Sequence, residues 1–474
     1  MTESVIAIKE VVDAIDSSLK EGFYLTDELD KLAYINSAHT CYTKGLPKPF
    51  IVVLPRSTEE VQKIVQIANK FKIPVVPWGV GSGSARASEP VEGCILIDMR
   101  QMNKILEIDL DAMTVTAQAG ATLYQIEREI EKYGLTLGDN SQSRIVSTIG
   151  GRISTAGLPN DTLGYGPAED QFLALTVVLP TGEVVKVGSK NYKSSSAYNL
   201  VRLFAGAEGT LGIITEATLK VYDKPDVHET RAFAFKNLND FIYCLRKLFK
   251  SFAKPCHMMV YDRQYWTFFG FELSDEFEWV ATFSFKGDED VVRFLMDKAR
   301  RIMGEKGVEQ PFETAETLRK AIYEYFRNTA ILLPMERGGR GYVVIDPNVP
   351  LYKLEELRSY IFERAKYYGF DVIGGYFHVT HMPVGIAYKA MIMREVDDYD
   401  DQKRFERFLD DIVQKTLSLG GTLSSFRGVG KYLAKYFHLE HKDAMPLIKK
   451  IKKALDPNLI MNPDTKVLRE VIEE

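Results

Sequence analysis

The sequence predicts an α+β protein with two domains of different composition. The first half alternates short apolar strand patterns with amphipathic helices, and it carries two glycine-rich loops, at residues 77–84 and 147–157. After Pro225 the glycine loops stop, aromatic residues become more frequent, and long helical stretches separate strand-like runs. A chain of 474 residues, 45% of them hydrophobic, is long enough to bury more than one core.

The elements of the first half follow from the spacing of apolar residues. A helix is expected over about 4–20 and a strand over 50–55, and Ser57 caps the next helix with Glu60 placed for a capping box. That helix leads to a second strand at 74–77. The three elements form a β-α-β unit, and ligands of such units commonly lie beyond strand ends. Further elements are strands at 94–98, 114–120, 173–179, 183–187 and 211–221, and a helix carrying Leu123, Ile126 and Ile130.

The second half reads as a separate domain followed by a short tail. Helices are expected at 289–306 and 351–367, a strand at 342–346, and an amphipathic helix at 448–455 that Pro457 ends. The predicted segments are an N-terminal helical segment at 1–47, a ligand-binding domain at 48–224, a second domain at 225–430 and a C-terminal segment at 431–474.

Composition excludes several classes of function. The net charge is −5 and no basic block dominates, so nucleic acid is not expected as a partner. The four cysteines show no C-x-x-C spacing, which argues against a zinc ribbon, a dithiol redox motif and a secreted disulfide scaffold. The first residues lack the order of a signal peptide, and no apolar run approaches the ~20 residues of a membrane span. A cytoplasmic location is expected.

The two glycine loops indicate an elongated ligand that carries phosphate. Glycines leave backbone N–H groups free of side-chain bulk, and nests of such groups hold phosphate oxygens. Two loops in one domain suggest a ligand longer than a mononucleotide. A single loop would be weak evidence, because glycine serves turns of many kinds.

Four ordered blocks resemble one family of flavoproteins. They are Pro74–Ser84, Gly150–Gly157, the G-A-E-G-T-L-G-I-I-T-E-A run at 206–217, and the L-D-P-N-L-I-M-N-P run at 455–463. In this order they resemble the FAD-linked oxidases of the vanillyl-alcohol oxidase superfamily, in the branch of the glycolate oxidase D-subunit, D-lactate dehydrogenase and alkylglycerone-phosphate synthase. The resemblance implies a PCMH-type FAD-binding domain of two subdomains, a cap domain with an antiparallel sheet, and a C-terminal helix that returns to the FAD domain.

The resemblance also implies which residues bind FAD. The first loop matches the diphosphate-binding loop, the second runs beside the ribityl chain and isoalloxazine, and the blocks near 208 and 462 complete the site. The implied residues are Pro77, Trp78, Gly79, Val80, Gly81, Ser82, Gly83, Ser84, Thr148, Gly150, Gly151, Ser154, Thr155, Gly157, Tyr165, Gly166, Glu208, Ile213, Ile214 and Asn462. Because the first loop contains neither His nor Cys, non-covalent FAD is expected.

The catalytic residues of the 2-hydroxy-acid branch are only partly present. Of its H-x-G-D-x-N-x-H stretch this chain keeps His378, with Gly385 in place of the second His. Phe426 and Arg427 replace a later Glu-His pair, so no divalent metal is expected. The candidate catalytic residues are His378, His381, Arg427, Arg327 and Lys431. An Arg suits an anionic substrate and a His can take a proton, although core histidines and ion-paired arginines are the alternatives.

The expected function is oxidation of a hydroxyl-bearing anionic small molecule, with a D-2-hydroxy acid such as lactate or glycolate as the family default. A synthase-like or phenol-oxidising flavoenzyme is one alternative, and a catalytically silent FAD-binding subunit is another. The sequence leaves open whether a quinone, a dye or O2 accepts the electrons. Relatives are often dimers, so a homo-oligomer is expected. The Lys-rich C-terminal helix is either a peripheral membrane contact or, as preferred here, a solvated face packed on the FAD domain.

Overall fold

The computed structural model describes residues 2–35, 37, 41–192, 194–268, 270–320, 340–380 and 385–473. Up to Asp223 the chain forms two sheets that share one hydrophobic core. Its strands are β1 (Phe23–Leu25), β2 (Ile51–Leu54), β3 (Val75–Trp78), β4 (Ile95–Asp98), β5 (Ile105–Asp109), β6 (Thr114–Gln118), β7 (Leu135–Leu137), β8 (Phe172–Val178), β9 (Val184–Gly188) and β10 (Ile213–Asp223). Its helices are α1 (Thr2–Ser18), α2 (Glu28–Leu32), α3 (Thr58–Phe71), α4 (Leu123–Ile130), α5 (Ile149–Thr155), α6 (Thr162–Tyr165) and α7 (Leu200–Phe204).

The smaller sheet contains the β-α-β unit and positions the first glycine loop. Its order is β1-β2-β4-β3, with β2 and β3 both parallel to β4. The loop at 79–88 therefore leaves the carboxyl end of an outer parallel strand. The larger sheet has the order β5-β6-β10-β8-β9 and is antiparallel, with β7 pairing on β10. The β8–β9 pair is the hairpin that the Pro180-Thr181-Gly182 turn predicts.

The second half is built on one seven-stranded antiparallel sheet of order β14-β11-β13-β12-β17-β19-β15. The strands of this sheet are β11 (Val227–Phe235), β12 (His257–Asp262), β13 (Trp279–Gly287), β14 (Val308–Glu309), β15 (Arg340–Ile345), β17 (Val372–His378) and β19 (Lys389–Glu395). Two further strands of this half, β16 (Asn348–Pro350) and β18 (Gly385–Ala387), pair with each other. Its helices are α8 (Leu238–Lys250), α9 (Arg263–Phe268), α10 (Glu289–Met303), α11 (Phe312–Lys320), α12 (Leu354–Tyr368), α13 (Tyr399–Ser418), α14 (Phe437–Glu440), α15 (Met445–Leu455) and α16 (Arg469–Glu473).

The two faces of this sheet differ in what covers them. One face packs with α8, α10, α12 and α13 into a large apolar core. The other face carries an aromatic cluster that includes Tyr261, Tyr265, Trp266, Tyr342 and Tyr376. This second face is the one that carries the side chains of Tyr376 and His378, because residues two apart on a strand share a face.

The C-terminal residues return to the first half. Ile460 accepts a hydrogen bond from the Val75 N–H at 2.8 Å, and the Asn462 N–H donates to the Val75 carbonyl at 2.8 Å. Residues 460–462 thus extend the edge of the sheet beside β3. Among the helices described, none combines the length and the apolar composition that crossing a bilayer requires.

The start of α3 differs from the expected capping box in one bond. Ser57 accepts from the Glu60 N–H at 3.2 Å, as expected. The Glu60 carboxylate, however, accepts from the Arg56 N–H at 2.8 Å and from the N–H groups of Lys20, Glu21 and Gly22 at 2.8–3.3 Å. Glu60 therefore fixes the N-terminal segment to α3. Burial opposes ionisation, but the four backbone donors outweigh it and hold the pKa of Glu60 below its ordinary value.

Glu60→Gln is expected to lower the free energy of unfolding at pH 7 by about 1–3 kcal/mol, because the amide accepts these N–H bonds more weakly than a carboxylate. A carboxylate with a lowered folded-state pKa stabilises above its unfolded pKa and loses that contribution as the pH falls. Urea unfolding should therefore show the two proteins converging below about pH 4. Glu59→Gln, at an exposed position of the same helix, is the control. Equal stability of the Glu60 variant at pH 7 would contradict this account.

Candidate active site

A cleft of about 1200 Å³, including its open mouth, runs between the first half and one loop of the second. The first half contributes the glycine loop, the segment around α5 and the residues that lead into β10. The second half contributes Phe426 and Arg427, and the C-terminal segment contributes Asn462. The sequence-predicted cofactor residues that line the cleft are Pro77, Trp78, Gly79, Val80, Gly81, Ser82, Gly83, Ser84, Thr148, Gly150, Gly151, Ser154, Thr155, Gly157, Glu208, Ile213, Ile214 and Asn462.

The first glycine loop presents free backbone donors to this cleft. From Val80 to Ser84, no N–H group donates a hydrogen bond to another described residue. Gly81 has φ +66°, a conformation that favours glycine, and a Cβ at Gly83 would meet no atom within 4 Å. The Nε1–H of Trp78 is also buried without a partner among the described residues. The loop residues are half-buried or exposed, and a run of free backbone donors at the surface of a cleft fits the oxygens of an anionic ligand.

In the second glycine loop, the backbone N–H groups of Gly150 and Gly151 already donate hydrogen bonds within the protein. The Gly150 N–H already donates to the Ala119 carbonyl at 2.9 Å, and the Gly151 N–H donates to Thr148 Oγ1 at 3.4 Å. A Cβ at Gly150 would lie 2.8 Å from the Cβ of Ala119. The expectation of a second nest of free amides is therefore wrong. These glycines let α5 lie directly against the chain at Ala119, and that contact forms the cleft wall.

A buried polar network supports the wall formed by Glu208 and Asn462. The Glu208 carboxylate accepts from the Val429 and Gly430 N–H groups at 2.8 and 2.7 Å. Asn462 Nδ2 donates to the Glu208 carbonyl at 2.7 Å. Burial raises the pKa of Glu208, while Lys466 and these N–H donors act in the opposite direction. Glu208 therefore joins the two halves of the protein, and its carboxylate is not free for a ligand.

Lys431 belongs to the same network. Its Nζ donates to Asn462 Oδ1 at 3.1 Å, to Thr465 Oγ1 at 2.9 Å and to the Ala87 carbonyl at 3.3 Å. Burial lowers the pKa of Lys431 to about 8. It is absent from the lining of the cleft. The structure thus gives this candidate catalytic residue a supporting position behind the cleft.

Tyr165 and Gly166 lie away from the cleft. The Tyr165 ring packs against Tyr222, with centroids 4.7 Å apart, and its carbonyl accepts a hydrogen bond from Gln171. Neither residue is part of the cleft lining. The structure does not bring these two predicted cofactor residues to the others.

Two guanidinium groups reach one end of the cleft. Arg427 Nε donates to Asp346 Oδ1 at 2.9 Å, and Arg152 Nε donates to Asp139 Oδ2 at 2.7 Å. Each arginine also keeps one buried nitrogen, Nη1 of Arg427 and Nη2 of Arg152, without a partner among the described residues. A Cβ at Gly157 would lie 2.3 Å from Arg152 Nη1 and 3.1 Å from the Phe426 carbonyl, so the Arg152 guanidinium reaches the 426–427 loop.

His378 lies behind the Phe426 ring, at the end of β17. Their ring centroids are 4.7 Å apart. Both ring nitrogens of His378 are enclosed and have no partner among the described residues. Burial, together with Lys389 and His257, lowers the pKa of His378 well below its ordinary value. A neutral imidazole that is covered by a phenyl ring does not reach the cleft directly.

Lys389 lies on the same side of Phe426. Its Nζ is 3.2 Å from the centroid of the Phe426 ring and 5.0 Å from that of Tyr376. Burial lowers the pKa of Lys389 well below its ordinary value; the nearby Asp346 opposes this shift, and Arg427 and Arg152 add to it. The amine of Lys389 thus lies near the two guanidinium groups but, like His378, is absent from the cleft lining and is covered by Phe426.

Two candidate residues, Arg327 and His381, lie outside the described residues. Within the described ranges there is no group of three or more His, Cys, Asp or Glu side chains placed to hold a metal ion. Sequence reasoning missed Arg152, Asp139, Asp346 and Lys389. Arg152 was open to detection, because it stands inside the second glycine motif. The other three take their positions from contacts between distant parts of the chain.

Comparisons with known proteins agree with this geometry. Residues 49–188 match the family model "FAD binding domain", and residues 224–465 match "FAD linked oxidases, C-terminal domain". The glycolate oxidase subunit GlcD of Bacillus subtilis is 28% identical over 422 residues, 88% of each chain. A D-lactate dehydrogenase of Anaerostipes hadrus is 29% identical over 443 residues, 88% of this chain and 90% of the relative.

Three further similarities concern one sequence relative and two solved structures. An alkyldihydroxyacetonephosphate synthase of Dictyostelium discoideum is 34% identical over 257 residues, 51% of this chain and 42% of the relative. A solved p-cresol methylhydroxylase shares the fold at a TM-score of 0.82 and 18% identity, covering 98% of this chain and 97% of its own. A solved alkyldihydroxyacetonephosphate synthase does so at 0.76 and 22%, covering 96% and 84%.

The free amides of the first loop are the feature that fits this cofactor, since FAD carries a diphosphate and hydrogen-bond donors without partners line the cleft beside it. The family models together cover most of the chain, and the C-terminal one alone covers more than half. The chain therefore belongs to the FAD-linked oxidases, and its cofactor is FAD.

Proposed function

We propose that this flavoenzyme oxidises a hydroxyl-bearing anionic small molecule, and that the substrate is a D-2-hydroxy acid of the lactate or glycolate type. The observation that carries the proposal is the pair Arg152 and Arg427 at one end of the cleft, each with a buried nitrogen that has no partner among the described residues. A guanidinium fork matches a carboxylate geometrically. Two relatives are named for glycolate and D-lactate, both of them 2-hydroxy acids.

In this proposal the chain holds FAD along the length of the cleft. The amides of Val80–Ser84 would hold the diphosphate, and the residues of the wall at Thr148–Gly157 would hold the ribityl chain and the ring. When bound, FAD accepts a hydride from the substrate at its N5 position. The lining described contains no His, Cys or Tyr, which supports non-covalent binding.

The arginines are held ready for the substrate by buried carboxylates. Asp346 also accepts from Ser424 Oγ at 2.7 Å and from the Phe426 N–H at 3.0 Å, so it fixes the loop as well as the Arg427 side chain. Asp139 fixes Arg152 in the same way. Each pair leaves part of its guanidinium free, and the carboxylate of a hydroxy acid fits there. Pre-oriented cations lose little entropy when the anion binds.

We also propose that the protein is cytoplasmic and forms a homodimer. The four cysteines are free thiols, three of them buried, which supports a reducing cytoplasm. The homodimer rests on the family resemblance. The electron acceptor, whether quinone, dye or O2, is to be found by assay, and no divalent metal is proposed.

Anaerobic mixing of the FAD-loaded protein with a panel of D- and L-2-hydroxy acids, a phenol and an acyl dihydroxyacetone phosphate tests the function. We expect a D-2-hydroxy acid to bleach the flavin absorbance band, while its uncharged amide, which offers nothing to the arginines, bleaches it far more slowly. Bleaching by the phenol or the phosphate ester alone would favour the alternative chemistry. No bleaching by any donor would favour a silent FAD-binding subunit.

Arg152→Met and Arg427→Met serve as the matched test of the anchor. Loss of one charged hydrogen bond to the substrate is expected to raise KM by about 10- to 100-fold. Asp346 keeps its other donors in the Arg427 variant, so the loop should stay folded. Arg407→Met, at an exposed position of α13, is the control and should leave KM unchanged. Unchanged KM in both anchor variants would refute the assignment.

Substitution of Gly83 tests the diphosphate loop. A Cβ there meets no protein atom within 4 Å, so Gly83→Ala and Gly83→Val should leave the melting temperature of the FAD-free protein unchanged. Both side chains would occupy space beside the free amides. We expect FAD affinity to fall by about tenfold or more with Val and by less with Ala. Fluorescence titration measures both. Wild-type affinity in the Val variant would show that the diphosphate lies elsewhere.

A further inference from the structure

We propose that Lys389 is the group that takes the proton from the hydroxyl of the substrate. This inference rests on the proposed function, because it assigns a role within the same oxidation. It differs from the sequence-based expectation, which gave the proton to His378 or His381.

The sheet places Lys389 beside the residues that contact the cleft. Lys389 begins β19 and lies opposite Tyr376 of β17 in the antiparallel register. Side chains of directly paired residues share a face of the sheet, and so do residues two apart on one strand. Lys389, Tyr376 and His378 therefore form one patch. Phe426 covers this patch with its ring and also lines the cleft.

The amine of Lys389 has no hydrogen-bond acceptor among the residues that the structure describes. It makes no hydrogen bond or ion pair with any described residue, and Lys389 is only 6% exposed. An ammonium in such a place loses its hydration and gains only the faces of the Phe426 and Tyr376 rings, so burial favours the neutral amine. The charged groups around it are Arg427 from the loop, Arg152 from α5 and Asp346 after β15. Asp346 opposes the neutral form and the two guanidinium groups favour it, so burial is the main reason that the pKa of this amine is lowered.

A neutral amine here suits the task of a base better than His378 does. Lowering a lysine pKa moves it toward neutrality, where a base works best, whereas lowering a histidine pKa moves it away. Both nitrogens of His378 are enclosed, and that residue is only 2% exposed. A carboxylate that binds between Arg152 and Arg427 brings negative charge near Lys389. It therefore raises the proton affinity of the amine once the substrate is bound.

The reaction balances with the groups named. The C2–H bond of the hydroxy acid breaks, and its electron pair leaves with the hydrogen as hydride to the bound FAD, the oxidant. The O–H bond breaks, its proton goes to Lys389 Nζ, and the C2–O bond becomes a carbonyl. The products are a 2-keto acid, the reduced cofactor and an ammonium at Lys389. The Phe426 ring must turn about its Cα–Cβ bond for the hydroxyl to reach the amine.

The test is the pH dependence of anaerobic flavin reduction in stopped flow. In the wild type the rate should rise with pH as Lys389 becomes neutral and then level off. Lys389→Met should lower the rate by about 100-fold or more and remove this rise. Lys389→Arg keeps a cation but loses the base, so it should be as slow as the Met variant. Lys435→Met, an exposed lysine paired with Asp410, is the control and should retain wild-type rates.

Two readouts separate a base from a structural residue. Ethylamine in the buffer should restore part of the rate to Lys389→Ala, because the small amine can fill the space left. Oxalate, a non-reacting analogue of the hydroxy acids, should bind the wild type with uptake of a proton, measured by calorimetry in two buffers of different ionisation enthalpy. The uptake should vanish in Lys389→Met.

The outcomes distinguish the two proposals. If no hydroxy acid reduces the wild-type flavin, both the proposed function and the proposed role of Lys389 are wrong. If the wild type is reduced, an active Lys389→Arg variant would make Lys389 an anchor for the anion and would overturn its role as a base. A pH rise that survives in Lys389→Met but disappears in His378→Asn would overturn it in favour of the histidine.

Discussion

One buried carboxylate holds the two halves of this protein in register. Glu208 belongs to the first half, and its oxygens accept the N–H groups of Val429 and Gly430 in the second. A Cβ at Gly428 would lie 1.9 Å from Glu208 Oε1, and Gly428 has φ +79°, so only glycine fits between them. Phe426 and Arg427 lie just before the backbone N–H groups that Glu208 binds. Their place over the cleft, and with it the anion site, depends on that contact.

Buried carboxylates also determine how Arg152 and Arg427 are oriented at the cleft. Asp139 and Asp346 are fully buried, and each is shared between an arginine and backbone or hydroxyl donors. They orient the guanidinium groups without neutralising all of their nitrogens. Two guanidinium groups face two carboxylates there, and the buried amine of Lys389 lies beside them. Because each carboxylate also accepts other donors, the guanidinium groups stay oriented while part of each remains available to an anionic substrate.

The sequence predicted what depends on local pattern. The β-α-β unit, the hairpin at Pro180–Gly182 and the strand before the first glycine loop all follow from short-range spacing. It failed where distant contacts decide. From the sequence, the backbone N–H groups of the second loop were expected to be free. One of them, however, donates a hydrogen bond to the carbonyl of Ala119, some thirty residues earlier. Lys389 heads an apolar strand, where a lysine ordinarily marks the solvent side, and only the packing of Phe426 on it reveals that it is buried.

The missing Glu-His pair is therefore weak support for an inactive protein. Phe426 and Arg427 occupy the positions of that pair. Asp346 accepts hydrogen bonds from both residues, and Glu208 binds the backbone that follows them, so this loop has a defined structure. Burying the amine of Lys389 beside two guanidinium groups lowers stability, and a protein that merely carried FAD would gain nothing from that arrangement. The arrangement makes sense if binding of an anionic substrate, and not metal coordination, brings the hydroxyl, the base and the bound FAD together.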